Sequence, residues 1–439
     1  VENRDRDKTY NKYEVAGLDE LTPSFSWSGF LAAAELTGKV EAMIVRQPSY
    51  LEAFGKLYAG VSVEDWKSYF TFKLLNAYAP ELSAAFVEAQ FDFYGRTVRG
   101  IEQMEPRWKR AVNSIDNILG EVVGQVYVER YFKPEAKARM EALVKNLKDT
   151  YAERIKELDW MGAATKEEAL AKLDKFRTKI GYPDKWKDYS ALEISDDELV
   201  QNTIRANRHE YHREMGKLGQ PIDREEWFMT PQTVNAYYNP PMNEIVFPAA
   251  ILQPPFFNFE ADDAVNYGAI GAVIGHEMTH GFDDQGRKSD GEGNLRNWWT
   301  EEDETEFKQR AQIVIDQFAG YVPIDTMHIN GELTLGENIG DIGGVTIALD
   351  AYHRSLGGKE APVIDGFTGD QRFFFGWAQI WRRLYRDDEL RRRVITDPHS
   401  PSEFRVIGVV SNIPEFYEAF DVQETDALYR PSEMRVKIW

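Results

Sequence analysis

The amino-acid sequence predicts a mainly helical protein of the α+β class, and three observations carry this prediction. Apolar residues recur at spacings of three and four through most of the first half of the chain. The same spacing returns after residue 300, whereas short β-like runs lie close together between residues 234 and 247. The length of 439 residues is enough for about two domains of ~100–200 residues each, with a sizeable core.

The composition is that of a folded protein and excludes several functions. Hydrophobic residues make up 43% of the chain and charged residues 28%, which is typical of globular proteins rather than disordered ones. The formal net charge of −21 argues against non-specific binding to nucleic acid or to an anionic membrane. The chain has no Cys, so disulfides, thiolate metal sites and cysteine nucleophiles are excluded. No apolar run reaches the ~18–20 residues of a membrane span.

Helices are predicted in succession through the first half of the chain. Two of these helical runs are interrupted by prolines, at Pro48 and Pro80. Thr165 and Glu168 have the spacing of a capping box, which predicts a helix that continues to about Lys179. The helices expected in this part cover residues 28–60, 63–105, 108–130, 134–160, 165–179 and 195–217.

Short strands and then further helices are predicted in the second half. Val234–Tyr238 and Glu244–Phe247 are β-like runs on either side of a turn that contains two prolines. A helix is expected to begin near residues 262–266 and to run through His280, before a loop rich in Gly and Asp over residues 281–297. Later helices are expected at residues 300–320, 337–355 and 368–386.

The segment Gly275–His280 has the spacing of a metal site. It reads G-H-E-M-T-H, so His276 and His280 are four residues apart and share one face of the predicted helix. Both imidazoles can then reach one metal ion, while Glu277 lies beside that ion and can hold a water molecule. Because the whole chain has only 7 His, a chance pairing of this kind is rare.

A third protein ligand is needed, because catalytic zinc sites usually have three. The segment G-E-N-I-G-D places Glu337 and Asp341 four residues apart on another predicted helix. One carboxylate can bind the metal while the other accepts an N–H from a ligating imidazole. The pattern therefore predicts a site for one Zn²⁺ per chain, with His276, His280 and Glu337 as its ligands.

These motifs resemble those of the neprilysin-like zinc metallopeptidases, the family of neprilysin, endothelin-converting enzyme and the bacterial oligopeptidase O group. The resemblance covers essentially the whole chain. Further matching segments are V-N-A-Y-Y at 234–238, F-P-A-A-I-L-Q-P-P-F-F at 247–257, D-P-H-S-P-S-E-F-R at 397–405 and R-V-K-I-W at 435–439. The animal enzymes have stabilising disulfides and this chain has no Cys, so the resemblance favours a bacterial-type member.

The resemblance implies a two-lobed architecture. Residues 111–439 would form a thermolysin-like (gluzincin) catalytic lobe with a small β-sheet above the zinc helix. Residues 1–110 would be part of a helical lobe that covers the active-site cleft and limits access to short peptides. Full members have a leading segment before the position of Val1. The chain is therefore expected to be a fragment or one piece of a nicked molecule, with that segment as a candidate partner chain.

The activity that the resemblance implies is a zinc-dependent endopeptidase that cleaves oligopeptides on the amino side of hydrophobic residues. Glu277 would be the general base that activates a zinc-bound water. Asp341 would orient His276, and His399 would stabilise the oxyanion that develops on the substrate. Asp397 would fix the tautomer of His399.

The resemblance also implies how a peptide substrate would be held. Asn235 and the backbone of Ala236 would pair with the peptide main chain as an added strand. Arg405 would bind a substrate carbonyl downstream of the cleaved bond, a contact suited to its forked guanidinium. The apolar side chain just after this bond would enter a pocket with walls from Ile251, Phe256, Val273, Ile380 and Trp381.

Two other functions stay open at the level of sequence. One is an open-cleft thermolysin-like proteinase that acts on folded proteins. A comparison of the cleavage of intact casein with that of short peptides distinguishes such a proteinase from an oligopeptidase. The other is a module that binds peptides or a host protein without turnover. A biological effect of the protein that persists in Glu277→Gln would favour this function. The compartment also stays open, with an extracytoplasmic location preferred over a cytoplasmic one.

Overall fold

The computed structural model describes residues 2–439, and the chain divides into two compact units. The first unit contains the chain up to Ile118 together with Lys187–Arg224, and the second contains Leu119–Trp186 and Glu225–Trp439. This division differs from the expected boundary between residues 110 and 111. The long helix at the boundary is interrupted at Leu119, whose backbone angles of φ −124° and ψ 35° are not helical. The functional roles of the two units stay predictions.

Helices make up most of the described chain. In chain order, the α-helices are α1 (Arg6–Thr9), α2 (Leu18–Leu21), α3 (Trp27–Ala33), α4 (Pro48–Gly60), α5 (Val63–Tyr78), α6 (Ala84–Gln90), α7 (Arg107–Tyr131), α8 (Pro134–Glu157), α9 (Ala163–Asp174), α10 (Leu199–Met215), α11 (Asp263–Asn266), α12 (Ala272–Thr279), α13 (Glu301–Ala319), α14 (Leu335–Ser355), α15 (Gly369–Ile380), α16 (Asp387–Thr396), α17 (Ser402–Val410) and α18 (Pro414–Phe420). The strands are β1 (Lys12–Glu14), β2 (Ala42–Ile44), β3 (Arg177–Gly181), β4 (Tyr237–Asn239) and β5 (Glu244–Pro248). A π-helical turn, Tyr267–Gly271, joins α11 to α12.

Most predicted helices are confirmed, but several boundaries are wrong, and the strand predicted at Val234–Tyr238 is found at Tyr237–Asn239. The break expected at Pro48 is present, since α4 begins there, but it is longer than predicted, because residues 34–47 lie outside helices and include β2. The predicted helix 165–179 begins earlier, after Gly162, and ends at Asp174, because residues 177–181 pair with β5 as β3. Thr165 is not a cap, since its hydroxyl donates to Asp303 on α13. The last predicted helix ends at Ile380 rather than near residue 386.

The first unit has a small sheet, formed by β1 and β2 in antiparallel pairing, and a small apolar cluster. Leu18, Trp27 and Val45 are the buried members of this cluster. α10 belongs to the same unit although it is distant in sequence. The hydroxyl of Tyr211 on this helix donates to the carbonyl oxygen of Ala34 at 2.5 Å, a contact that ties segment 187–224 to the beginning of the chain.

The second unit contains a three-stranded sheet in the order β3-β5-β4. β3 and β5 are parallel, β4 and β5 are antiparallel, and β4 lies at one edge. All five residues of β5 are buried, as expected for a central strand. Helices around this sheet share one large apolar core with it. The architecture confirms the mainly α (α+β) class, and no helix within residues 2–439 is long and apolar enough to cross a membrane.

Candidate metal centre

Two helices of the second unit, α12 and α14, approach so closely that their backbones touch. A Cβ on Gly275 would lie 2.7 Å from the carbonyl oxygen of Gly344, and one on Gly344 would lie 2.5 Å from that of Ala272. A Cβ on Gly340 would lie 2.8 Å from Nδ1 of His276. Because these three positions carry no side chain, α14 can lie directly against the part of α12 that bears His276.

The three predicted metal ligands lie together. One ligand atom from each of His276, His280 and Glu337 falls within 4.8 Å of the other two. Oε2 of Glu337 is 3.4 Å from Nε2 of His276 and 3.6 Å from Nε2 of His280. The two imidazole rings are nearly perpendicular, with centroids 4.4 Å apart. Helix α12 and its C-terminal cap supply the histidines, and the first turn of α14 supplies the glutamate.

The surroundings of Glu337 fit a bound metal ion. Its Oε2 is buried and accepts no well-formed hydrogen bond from the residues that the structure describes, although three imidazole nitrogens surround it. Burial alone would raise the pKa of this carboxyl, but His280 and His399 hold that pKa well below its usual range. Two imidazole nitrogens and an ionised carboxylate oxygen are a donor set that Zn²⁺ takes in catalytic sites. The residues present therefore fit a zinc ion.

Each of the two imidazoles has a carboxylate behind it. Nδ1 of His276 is 2.8 Å from Oδ1 of Asp341, within ion-pair distance but without hydrogen-bond geometry, and Nδ1 of His280 is hydrogen-bonded to Oδ2 of Asp283 at 2.7 Å. Such carboxylates fix the tautomer that leaves Nε2 available to a metal. The contact between Asp341 and His276 is the one that the resemblance implies. Asp283 was not predicted, and its only signal in the sequence is its position three residues after His280.

Glu277, the predicted general base, lies next to His276 on α12 and is only 5% exposed. Burial raises the pKa of this carboxyl above its usual value, and the neighbouring His276 and His280 partly offset that effect. A carboxylate with a raised pKa is a stronger proton acceptor, which suits general base catalysis near neutral pH. Its position is therefore compatible with the predicted role.

His399, which is far from the H-E-x-x-H motif in sequence, reaches the same cluster. Its Nε2 is 3.2 Å from Oε2 of Glu337, and its Nδ1 is 2.8 Å from Oδ1 of Asp397. The backbone N–H of His399 donates to the same oxygen of Asp397 at 2.9 Å. Oδ2 of Asp397 pairs with Arg393 at 2.6 Å. The expected contact between Asp397 and His399 is thus present, and it fixes which ring nitrogen faces the cluster.

A buried hydrogen bond joins the neighbours of Glu337 and His399, and sequence reasoning missed it. Oγ of Ser400 donates to Oδ1 of Asn338 at 2.8 Å, and the amide nitrogen of Asn338 donates to Thr334 at 3.0 Å. Ser400 is 3% exposed and Asn338 is fully buried. This bridge holds the loop that carries His399 against the first turn of α14.

Arg405 is 7% exposed and bound to Asp341. Its Nε and Nη2 donate to the two carboxylate oxygens of Asp341, both at 2.6 Å. The guanidinium also stacks on the ring of Trp381, 3.8 Å from its centroid. Asp341 therefore lies between Arg405 and His276. The predicted contact of Arg405 with a substrate carbonyl is a separate role and stays a prediction.

The remaining predicted substrate residues all lie in the second unit. Asn235 is exposed and Ala236 is buried, and both come immediately before β4 at the sheet edge. An edge strand offers unpaired backbone groups to an extended peptide. The apolar residues of the predicted pocket belong to the core of this unit or pack against it, and they are Ile251, Phe256, Val273, Ile380 and Trp381. Their role as pocket walls stays a prediction.

A surface cavity of about 380 Å³ lies elsewhere in the second unit, between α8 and β3. None of the residues predicted for the site lines it. Several of its charged groups already have partners, since Arg177 pairs with Glu225 at 2.5 Å and Lys148 donates to the carbonyl oxygen of Asp174. The cavity therefore does not correspond to the predicted side-chain pocket.

Two imidazoles from an H-E-x-x-H helix and a glutamate from a second helix form a group that could hold a metal ion, in a mainly helical unit with a small sheet. This arrangement is consistent with the zinc site of a gluzincin. The chain belongs to peptidase family M13, whose amino-terminal and carboxy-terminal family models match residues 1–183 and 235–436. The chain is 36% identical to an endothelin-converting enzyme homolog of Locusta migratoria, over 95% of the chain and 60% of that protein. It is 35% identical to neprilysin-11 of Caenorhabditis elegans, over 95% of the chain and 52% of that protein.

Solved bacterial structures agree with this assignment. The structure of zinc metalloprotease Zmp1 of Mycobacterium tuberculosis, in complex with an inhibitor, matches all of this chain with a TM-score of 0.96 and 53% identity. This chain covers 67% of that protein. The structure of PepO from Lactobacillus rhamnosis matches 99% of the chain, and 68% of its own length, with a TM-score of 0.89 and 30% identity. The higher identity to the mycobacterial protein confirms the expected bacterial-type member.

The chain spans between 52% and 60% of the length of three curated relatives that it matches. Family membership follows from the matches, and the activity, substrates and partners of a whole M13 protein do not transfer with it. The comparisons give no support to a leading segment that is bound as a separate chain.

Proposed function

We propose that this protein is a zinc-dependent endopeptidase that hydrolyses oligopeptides on the amino side of hydrophobic residues. The observation that carries the proposal is the cluster of His276, His280 and Glu337, with buried Glu277 on the same helix. Membership of peptidase family M13 supports it, as does the similarity to the mycobacterial zinc metalloprotease Zmp1.

A bound Zn²⁺ would supply a Lewis acid that polarises the scissile carbonyl and lowers the pKa of water. Glu277 accepts a proton from the attacking water and later passes it to the leaving amine. Nε2 of His399 donates a hydrogen bond to the oxygen on which negative charge develops, because Asp397 holds the proton-bearing tautomer in place. Asp341, itself held by Arg405, fixes the ring of His276.

An extended peptide adds to the sheet edge next to β4. Exposed Asn235 bonds to the peptide main chain through its side chain, and Ala236 does so through its backbone. Arg405 contacts a carbonyl beyond the cleaved bond. The preference for a hydrophobic residue just after that bond comes from the predicted apolar walls, of which Phe256 and Trp381 are only partly buried.

Cleavage of a mixed oligopeptide library, followed by mass spectrometry, tests the activity and its specificity together. We expect cuts before Phe, Leu and Ile, and no cuts after the metal is removed with a chelator. Short peptides should be cleaved faster than intact casein, which distinguishes an oligopeptidase from an open-cleft proteinase. A protein that contains stoichiometric zinc and leaves the library intact would overturn the proposal and favour peptide binding without turnover.

A further inference from the structure

A lysine is buried beside the loop that follows His280, on a helix that carries none of the predicted site residues. Lys172 lies on α9 and is 2% exposed. Its Nζ donates to three backbone carbonyl oxygens, those of Gly281 at 2.6 Å, Gly286 at 2.8 Å and Ser289 at 2.7 Å. An ammonium group has three N–H donors, so these three bonds use all of them.

Aromatic rings surround the same ammonium group. Nζ of Lys172 is 5.5 Å from the ring centroid of Phe282 and 5.9 Å from those of Tyr238 and Trp298. The faces of aromatic rings attract a desolvated cation. Because a buried charge is costly unless it is well coordinated, this coordination indicates a specific role for the charge rather than incidental burial.

All three carbonyl groups belong to one loop, residues 281–289, which directly follows His280. The same loop contains Asp283, whose Oδ2 is 2.7 Å from Nδ1 of His280. Oδ1 of Asp283 accepts hydrogen bonds from the backbone N–H of Gln285 at 2.8 Å and of Gly286 at 2.6 Å. The loop backbone therefore fixes Asp283, and Asp283 fixes the ring of His280.

Gly286 connects the two halves of this arrangement. Its N–H donates to Asp283, and its carbonyl oxygen accepts from Lys172. A Cβ at this position would lie 1.7 Å from the carbonyl oxygen of His280, so the loop can follow this path only with glycine here. A displacement of the carbonyl groups that Lys172 holds would therefore move the N–H groups that hold Asp283.

We propose that Lys172 is a positioning residue for the metal centre, which acts through the loop 281–289 and Asp283 to orient His280 toward the metal. The inference rests on the proposed zinc site, and it adds a residue from a third helix to the two helices that supply the ligands. Partners behind a ligating histidine typically change metal affinity 10–100-fold when they are removed. We expect an effect of this size from Lys172, although it touches no ligand.

The test is the zinc affinity of purified variants, measured by competition with a chromophoric chelator, so that peptide cleavage is not needed. Lys172→Met keeps an unbranched apolar side chain, one atom shorter than that of lysine, and removes its charge and donors. Lys175→Met is the matched control, because Lys175 is the C-cap residue of the same helix, pairs with Glu292 at 2.5 Å and is exposed. We expect Lys172→Met to weaken zinc binding 10–100-fold and the control to change it less than twofold.

A double variant distinguishes positioning from general damage to the fold. If Lys172 acts through Asp283, Lys172→Met combined with Asp283→Asn should bind zinc no more weakly than the worse single variant. Independent, multiplying losses would overturn the proposal, as would wild-type affinity in Lys172→Met. If Lys172→Met does not fold, Lys172→Gln replaces it, because glutamine keeps two N–H donors. Lys172→Gln should show an intermediate loss of zinc affinity, and an unchanged zinc affinity in this variant would also overturn the proposal. Wild-type protein that binds no zinc would instead refute the proposed function.

Discussion

Nε2 of His399 lies 3.2 Å from Oε2 of Glu337, so the loop before α17 and the first turn of α14 meet at one point. On the opposite side of the imidazole, Nδ1 is 2.8 Å from Oδ1 of Asp397. The ring is therefore fixed between a predicted metal ligand and a carboxylate that is itself paired with Arg393. A ring held in this way can donate from Nε2 to a substrate oxygen beside the metal, without being a ligand itself.

Replacement of His399 by Ala should lower kcat for a defined oligopeptide by about 10²–10³-fold, because one preorganised donor to the oxyanion is lost. KM should change only a few-fold, and zinc content should stay at the wild-type level. Steady-state kinetics and elemental analysis give the two readouts. His328→Ala is the control, since His328 is exposed and bonds only locally to Ala319. An undiminished kcat in His399→Ala would show that another group stabilises the oxyanion.

The hydrogen bond from Ser400 to Asn338 should matter for both stability and catalysis. Ser400→Ala leaves the buried Oδ1 of Asn338 without its donor, which costs about 1–3 kcal/mol in free energy of unfolding. It should also lower kcat about tenfold, because the loop of His399 loses its attachment to α14. Ser402→Ala is the control, since it breaks a partly buried contact with Tyr385 instead. Equal kcat in the two variants would contradict a positioning role for the bridge.

The contact between α12 and α14 should not tolerate a methyl group. In Gly344→Ala the new Cβ would lie 2.5 Å from the carbonyl oxygen of Ala272 and 2.6 Å from the backbone nitrogen of His276. We expect a loss of about 1–3 kcal/mol in denaturant unfolding, together with weaker zinc binding. Gly60→Ala, at the end of α4 with no atom within 4 Å of its Cβ, should change stability by less than about 0.5 kcal/mol. Wild-type stability in Gly344→Ala would mean that the two helices are further apart.

Asp303 should make stability depend on pH in the acid range. This residue is 4% exposed and accepts hydrogen bonds from the backbone of Gly162 and the hydroxyls of Thr165 and Thr300. Burial would raise its pKa, but these donors, with that of Thr165 the largest, hold the pKa below its usual value. A lowered pKa stabilises the fold above the unfolded value of about 3.9, and this contribution disappears as the pH falls through the folded pKa.

Asp303→Asn should therefore reduce the free energy of unfolding by about 1–3 kcal/mol at pH 7. The difference from wild type should shrink below about pH 4, as Asp303 itself becomes protonated. Urea unfolding at a series of pH values measures both effects. Glu302→Gln, an exposed change in the same helical turn, should have little effect at any pH. A difference that is constant with pH would rule out the charge of Asp303 as its origin.

Local patterns in the sequence predicted the parts of the site that are local in the structure. His276 and His280 are one helical turn apart, so their common direction follows from helix geometry alone. Glu337, the third predicted ligand, could be singled out because it lies in a motif of its own, and the structure places it beside the two histidines. The partners that the prediction missed have no such signal. Asp283 belongs to an irregular loop, and the bridge from Ser400 to Asn338 joins segments that only folding brings together.

The wrong helix boundaries have the same explanation. Thr165 and Glu168 have the spacing of a capping box, yet Thr165 bonds to Asp303 on a distant helix and lies inside α9. Residues 177–179 were predicted as the end of the preceding helix, but the pairing of residues 177–181 with β5 makes this segment a strand. In both cases a tertiary contact overrides a local preference, and the spacing of residues in the sequence cannot show such a contact.

The central claim is that Glu277 removes a proton from water beside the cluster of His276, His280 and Glu337. The most direct test compares the rate of peptide cleavage by wild type and Glu277→Gln, both loaded to the same measured zinc content. The account predicts that Glu277→Gln binds zinc like wild type and cleaves about 10²–10⁴ times more slowly, the contribution typical of a general base. Cleavage at close to the wild-type rate, with zinc bound, would contradict it.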